Sequence, residues 1–220
     1  MSLQDRLKRE RALERASAIV SQCRKCGIGA TRRNAVYGEG DPCAQLMVVG
    51  EGPGETEDKL GRPFVGRAGE LLDKMLLSID LPREDVFICN TVKCRPTLDT
   101  GHRIANRAPT PEEMRNCRPY LDEQIDIIRP RVILALGAPA AKSFMGDKFS
   151  ITKQRGQWFD GPSGIPVIAT FHPAYVLRQT GGAMTEVKKL VWADLKKVRA
   201  RLNEPAAKGG SKPEQHRLFD

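Results

Sequence analysis

Short apolar runs alternate with longer amphipathic stretches along this chain. Residues 5–21 set Leu7, Ala12, Leu13, Ala16 and Val20 among charged residues at helical spacing. Cys23, Cys26, Gly27 and Gly29 end that helix. Gln45–Gly50 (QLMVVG) is a strand, followed by a glycine-rich loop through Gly54. A second loop covers Gly61–Gly69, and Glu70–Ile79 reads as a helix with Leu72, Met75, Leu76 and Ile79 as its buried stripe. Val86–Cys89 is a second strand ending in Asn90, and the polar stretch Thr97–Ala108 reads as an exposed loop. Thr110-Pro111-Glu112-Glu113 supplies a cap, a proline in the first turn and acids at a helix start, so a helix is expected to about Ile128. Arg131–Gly137 is a third strand, Ala138–Met145 a short helix and Ile165–Phe171 a fourth strand, with His172-Pro173 directly after it. Met184–Leu202 closes the pattern as an amphipathic helix. From Asn203 onward glycine, proline and charge dominate, which predicts a basic, disordered tail. The expected division is one domain over 1–202 and a tail over 203–220.

Apolar strands separated by helices predict an α/β fold of three layers, α/β/α, around a central four-stranded parallel sheet. Ligand sites in such sheets form at the carboxyl ends of the strands. Those ends carry Glu51, Asn90, Gly137 and His172.

The length of 220 residues suits a single full core. A formal net charge of +9 favours a polyanionic partner, nucleic acid ahead of membrane. No apolar run reaches transmembrane length, and Met1–Arg11 lacks the apolar segment of a secretory signal. An intracellular home is therefore expected; the further expectation, not read from composition, is a bacterial, cytoplasmic monomer associated with the nucleoid through DNA. In that compartment the six cysteines read as thiols or metal ligands rather than disulfides. Cys23 and Cys26 form a C-x-x-C pair. Cys94 and Cys117, each followed by Arg-Pro in a polar context, are the best second pair. Cys43 precedes a strand, and Cys89 sits inside one as a small hydrophobe. Four thiolates suit structural zinc or a four-iron cluster, and their spacing does not choose between them.

Four segments carry more. They are Gly50-Glu-Gly-Pro-Gly-Glu-Thr-Glu-Asp58, Gly61-Arg-Pro-Phe-Val-Gly-Arg-Ala-Gly69, Cys89-Asn-Thr-Val-Lys-Cys-Arg-Pro96 and His172-Pro-Ala-Tyr-Val-Leu-Arg178. Together, and in this order, they resemble the iron-sulfur uracil-DNA glycosylases of family 4, over roughly Cys23 to Leu202. The resemblance implies hydrolysis of the N-glycosidic bond of deoxyuridine in DNA, leaving an abasic site for base excision repair. It also implies a 4Fe-4S cluster on Cys23, Cys26, Cys94 and Cys117. In this light Phe64 looks like the aromatic that stacks on a flipped uracil. Asn90 looks like its reader, because a carboxamide can accept from N3–H and donate to O4, opposite to what cytosine requires. His172 looks like the donor that stabilises charge developing on the ring. Familiar uracil glycosylases place a water-orienting aspartate where this chain has Gly52. Glu57, with Glu51 behind it, is then the candidate to assist water, unless either braces a loop. Leu177 is placed to wedge into the duplex, Arg67 and Arg178 to contact phosphate, and Arg24, Lys25 and Arg95 to face DNA from the cluster side.

The stretch around His102, Arg103 and Arg107 is longer than the family's usual loop. Some relatives trap uracil-DNA covalently through a histidine there, so a trapping protein is one alternative, and a zinc-stabilised nucleotide-binding adaptor is another. This chain lacks the Lys-Arg-Arg-Ile-His run of the trapping proteins and keeps Cys94, which favours turnover. In the tail, Gln215, Leu218 and Phe219 resemble the peptide by which bacterial repair proteins bind the replication sliding clamp.

Overall fold

The structure is a computed structural model, and it describes residues 2–205. The clamp-like peptide Gln215–Phe219 and most of the expected tail lie outside the described residues.

Helix α1 (Leu3–Gln22) starts at Ser2, whose hydroxyl accepts from the Asp5 N–H at 3.1 Å. The short α2 (Ile28–Thr31) follows, then β1 (Glu39–Gly40), β2 (Leu46–Gly50), α3 (Glu55–Leu60), α4 (Arg67–Leu77) and β3 (Phe87–Asn90). Strands β4 (Thr97–Asp99) and β5 (Ile104–Asn106) precede α5 (Pro111–Ile128). The chain continues through β6 (Val132–Leu136), α6 (Ala138–Met145), α7 (Ile151–Gln154), β7 (Trp158–Asp160), β8 (Pro166–Thr170), α8 (Pro173–Leu177) and α9 (Gly181–Asn203). The start of α5 is as its sequence demands: Thr110 and Glu113 cap one another's backbone N–H groups, and Pro111 occupies the first turn.

The main sheet has the order β1-β3-β2-β6-β8-β7. Its four central strands are parallel, as expected, with Val48 paired to Ile88 and Leu134, and Leu134 to Ile168. Alternate residues face opposite layers. Leu46, Val48, Leu134 and Ile168 pack with Leu72 and Leu76 of α4 and Leu195 of α9. Met47, Val49, Ile133 and Ala169 pack with Leu121 and Ile125 of α5 and Ala140 of α6. A third apolar cluster joins Ala16 and Val20 of α1 to Tyr120 of α5 beside Cys94 and Cys117.

Two features correct the sequence reading. Among the described residues the sheet has six strands, because β1 and β7 add antiparallel edges. These are two and three residues long, too short for a visible apolar period. The segment read as an exposed loop is a β-hairpin pairing Leu98 with Ala105. Its turn is held by the Asp99 carboxylate, which accepts the Gly101 N–H at 2.8 Å, and by Thr100 Oγ1, which donates to the Arg103 carbonyl.

The chain steps from β2 to β3 on one side and later to β6 on the other, so the strand order reverses at β2. A crevice at the carboxyl ends is expected there, and the register of Gly50 opposite Asn90 brings those two ends level.

Candidate active site

A cleft of about 800 Å³ opens at this point. Its lining includes Glu51, Gly52, Glu57, Phe64, Asn90 and His172. Each comes from a strand end or from the loop after it.

Asn90 ends β3 and is 1% exposed, yet its side-chain oxygen Oδ1 is buried without a hydrogen-bond partner. An orphaned buried acceptor on the wall of a cleft is suited to a ligand N–H. Gly50 leaves room for it: a Cβ there would lie 2.4 Å from Asn90 Oδ1 and 2.5 Å from Phe64 Cζ.

Phe64 is 5% exposed, and its ring stacks with that of His172 at 5.6 Å between centroids. Its φ of 49° lies in the left-handed region, which costs a non-glycine residue about 1–2 kcal/mol. Three neighbours hold it there. Arg83 donates to the Pro63 and Phe64 carbonyls while Glu39 and Asp73 fix its guanidinium. Gly69 permits the approach, since a Cβ on it would stand 1.8 Å from the Phe64 carbonyl oxygen. Glu57 accepts the N–H groups of Val65 and Gly66, both at 2.9 Å, on Oε1 and that of Gly54 at 3.1 Å on Oε2. The Glu57 carboxylate is thus occupied in joining two loops. No such bond engages Glu51, whose carboxyl is pushed above its ordinary range by burial alone.

His172 caps α8. Its Nδ1 accepts the Ala174 N–H at 3.1 Å, which leaves the proton on Nε2. Burial, reinforced by the nearby Arg178 charge, lowers its pKa to about 4 against a small opposing effect of Glu57. The ring is therefore neutral near pH 7, with its one N–H at Nε2.

The remaining expectations divide. Arg67 and Arg178 are exposed on the cleft's lining. Tyr175–Arg178 lies in and at the end of α8, with Leu177 partly buried and outside the cleft lining. His102 and Arg103 are exposed at the hairpin turn, outside the lining. Arg107 reaches the cleft but is paired with Glu113 at 2.6 Å. Arg24 and Lys25 are exposed, whereas Arg95 is buried and donates to Asn106 Oδ1 at 2.7 Å, tying the hairpin to the body. Arg83 escaped the sequence reading because a lone arginine after Leu-Pro has no distinguishing pattern.

A second pocket is lined by Cys23, Cys26, Cys94 and Cys117 together. Arg32 donates to Cys94 Sγ at 2.8 Å and the Lys93 N–H to Cys117 Sγ at 3.2 Å. Burial raises the Cys26 and Cys94 thiols, and Cys117 to about 11. Among the described residues no three His, Cys, Asp or Glu side chains are grouped as ligands of a single metal ion. The four thiols line a pocket rather than meet at a point. Cys89 is buried in the sheet and Cys43 precedes β2, both away from this pocket.

The family model of the uracil DNA glycosylase superfamily matches residues 37–196. A type-4 uracil-DNA glycosylase from Thermotoga maritima is 48% identical over 87% of this chain and 95% of its own length. The chain belongs to the type-4 uracil-DNA glycosylase family. Other type-4 uracil-DNA glycosylases, from Sulfurisphaera tokodaii and Pyrobaculum aerophilum, are 46% and 43% identical over 86% and 76% of this chain, and over 84% and 85% of their own lengths. Type-4 membership does not favour a trapping protein or a zinc-stabilised adaptor. No helix among the described residues is long and apolar enough to cross a membrane.

Proposed function

We propose that the chain hydrolyses the bond between uracil and deoxyribose in DNA, releasing uracil and leaving an abasic site. The observation that carries this reading is the buried, unpartnered Asn90 Oδ1 beside the stacked Phe64–His172 pair. Uracil brought out of the duplex would slide against Phe64 and offer its N3–H to Asn90 Oδ1. The C1′–N1 bond then breaks with its electron pair passing to the ring. The Nε2–H of His172 is the donor for the oxygen on which that charge gathers. Water adds at C1′, and its proton balances the charge left on uracil. We assign help with that water to Glu51, the cleft acid with a free carboxylate, rather than to Glu57. This reverses the order in which the sequence ranked the two. Removing the His172 donor is expected to slow excision about 10²–10³-fold, and Asn90→Ala should also slow it strongly. Near-normal excision by both folded variants would overturn the site assignment.

The four-cysteine pocket fits a 4Fe-4S cluster: four thiols from three separate segments face one space, and N–H donors already aim at two of the sulfurs. Bound there, the cluster would supply a cross-link between the α1–α2 connection, the segment after β3 and α5, with no electron transferred in the hydrolysis. Brown colour and about four iron atoms per chain test this assignment. Arg67 and Arg178 are proposed phosphate contacts beside the cleft, with Leu177 a wedge only if α8 itself enters the groove. A monomer is proposed. The Gln215, Leu218 and Phe219 peptide is a proposed ligand for a sliding clamp; alanine at Leu218 and Phe219 should abolish that binding and leave excision intact.

A further inference from the structure

Lys93 is 0% exposed and is among the largest fully buried side chains of the described residues. Its ammonium donates to the backbone oxygen of Asn90 at 2.8 Å and to Gln124 Oε1 at 2.5 Å. The Cys89 thiol lies against it, and the Tyr37 ring centroid is 5.8 Å away. Every one of these neighbours is neutral. An ammonium taken out of water is costly unless its hydrogen bonds are well made, so this one is held tightly to the acceptors it has. Gln124 is fixed in turn, because its Nε2 donates to the Tyr37 carbonyl at 2.8 Å.

The main-chain N–H of the same residue donates to Cys117 Sγ, and the next residue is Cys94. Lys93 thus touches the cysteine pocket through its backbone and Asn90 through its side chain. Asn90 needs such an anchor. Its Oδ1 has no partner among the described residues, so the direction of its carboxamide depends on the placement of its own backbone and on the packing of Phe64 over Gly50. A carboxamide turned by half a rotation exchanges donor and acceptor, and with them its preference among bases.

We infer that Lys93 is a positioning residue that clamps the Asn90 peptide from the cysteine pocket and so holds the carboxamide in its base-reading orientation. This inference rests on Asn90 being the reader. The Lys93 ammonium acts through Asn90 and touches no reacting atom.

The test is a double-mutant cycle on single-turnover excision from a uracil-containing oligonucleotide, using wild type, Lys93→Met, Asn90→Ala and the double variant. Lys93→Met alone is expected to lower the rate about 10- to 100-fold, as loss of a hydrogen bond from a charged donor does. In the Asn90→Ala background it should lower the rate no further. Iron content and affinity for uracil-free duplex should stay at wild-type values. Should Lys93→Met fail to fold, Gln124→Met, which removes one acceptor of the ammonium, enters the same cycle with the same pattern expected at a smaller factor. Equal losses in both backgrounds, loss of iron, or a wild-type rate for Lys93→Met would overturn the inference. Full activity of Asn90→Ala would instead refute the reading of Asn90 itself.

Discussion

Replacing Glu57 separates a loop brace from a water-activating acid. Its carboxylate accepts the N–H groups of Gly54, Val65 and Gly66 at 2.9–3.1 Å. Hydrogen bonds to a charged group contribute about 1.5–3 kcal/mol each, so three represent a gross loss of about 4.5–9 kcal/mol on truncation. The cleft rim admits water that satisfies part of this, so the net cost of Glu57→Ala should be about 3–4 kcal/mol. For a chain of this size that lowers Tm by about 6–16 °C. Glu57→Gln keeps an acceptor for Val65 and Gly66 but turns an amide N–H toward the Gly54 N–H. It should cost about 1.5–3 kcal/mol. Both variants should slow excision by loosening the Phe64 loop while leaving the shape of the pH–rate profile unchanged. Thermal unfolding and single-turnover excision between pH 5 and 9 on the same samples decide the matter. A Gln variant with wild-type Tm, excision a hundredfold or more slower and an altered pH profile would refute the reasoning and make Glu57 the acid that assists water.

Gly50→Ala should all but abolish excision and destabilise the fold by about 1–3 kcal/mol, because its Cβ would meet Asn90 Oδ1 at 2.4 Å; a rate within threefold of wild type would contradict the packing. His172 should titrate near 4 by NMR, with the Nε2–H tautomer above that pH, and an imidazole found protonated at pH 7 would remove the neutral-donor assignment. Since the folded pKa lies below the unfolded one, the unfolded chain binds the extra proton first. The corresponding stability, about 3 kcal/mol at most, is present above pH 6.5 and is lost as pH falls toward 4. Thermal unfolding of His172→Asn should lack that part of the pH dependence. Cys117→Ala should remove visible absorbance and iron, and an iron-replete variant would contradict the four-cysteine assignment.

The parallel core was legible because β2, β3, β6 and β8 are buried on both faces and read as unbroken apolar runs. Long helices such as α5 announced themselves through caps and periodicity. The edges and the hairpin did not, since strands of two or three residues are too short to show a side-chain period. The positions of Asn90 and His172 at strand ends were readable, and the residues around them were located by the resemblance. What holds them was hidden. Arg83 and Lys93 look like ordinary basic residues, and only the fold brings one to the Phe64 carbonyl and the other beneath Asn90. Glu57 was ranked ahead of Glu51 from sequence without sight of the backbone N–H groups that engage its carboxylate.

The most direct test of the central claim is release of free uracil from a labelled uracil-containing oligonucleotide in large excess over protein, with a denaturing gel alongside. Many uracils released per chain, with abasic DNA and no adduct, is the predicted result. Release that stops near one equivalent with a shifted protein–DNA band, or no release at all, would contradict it.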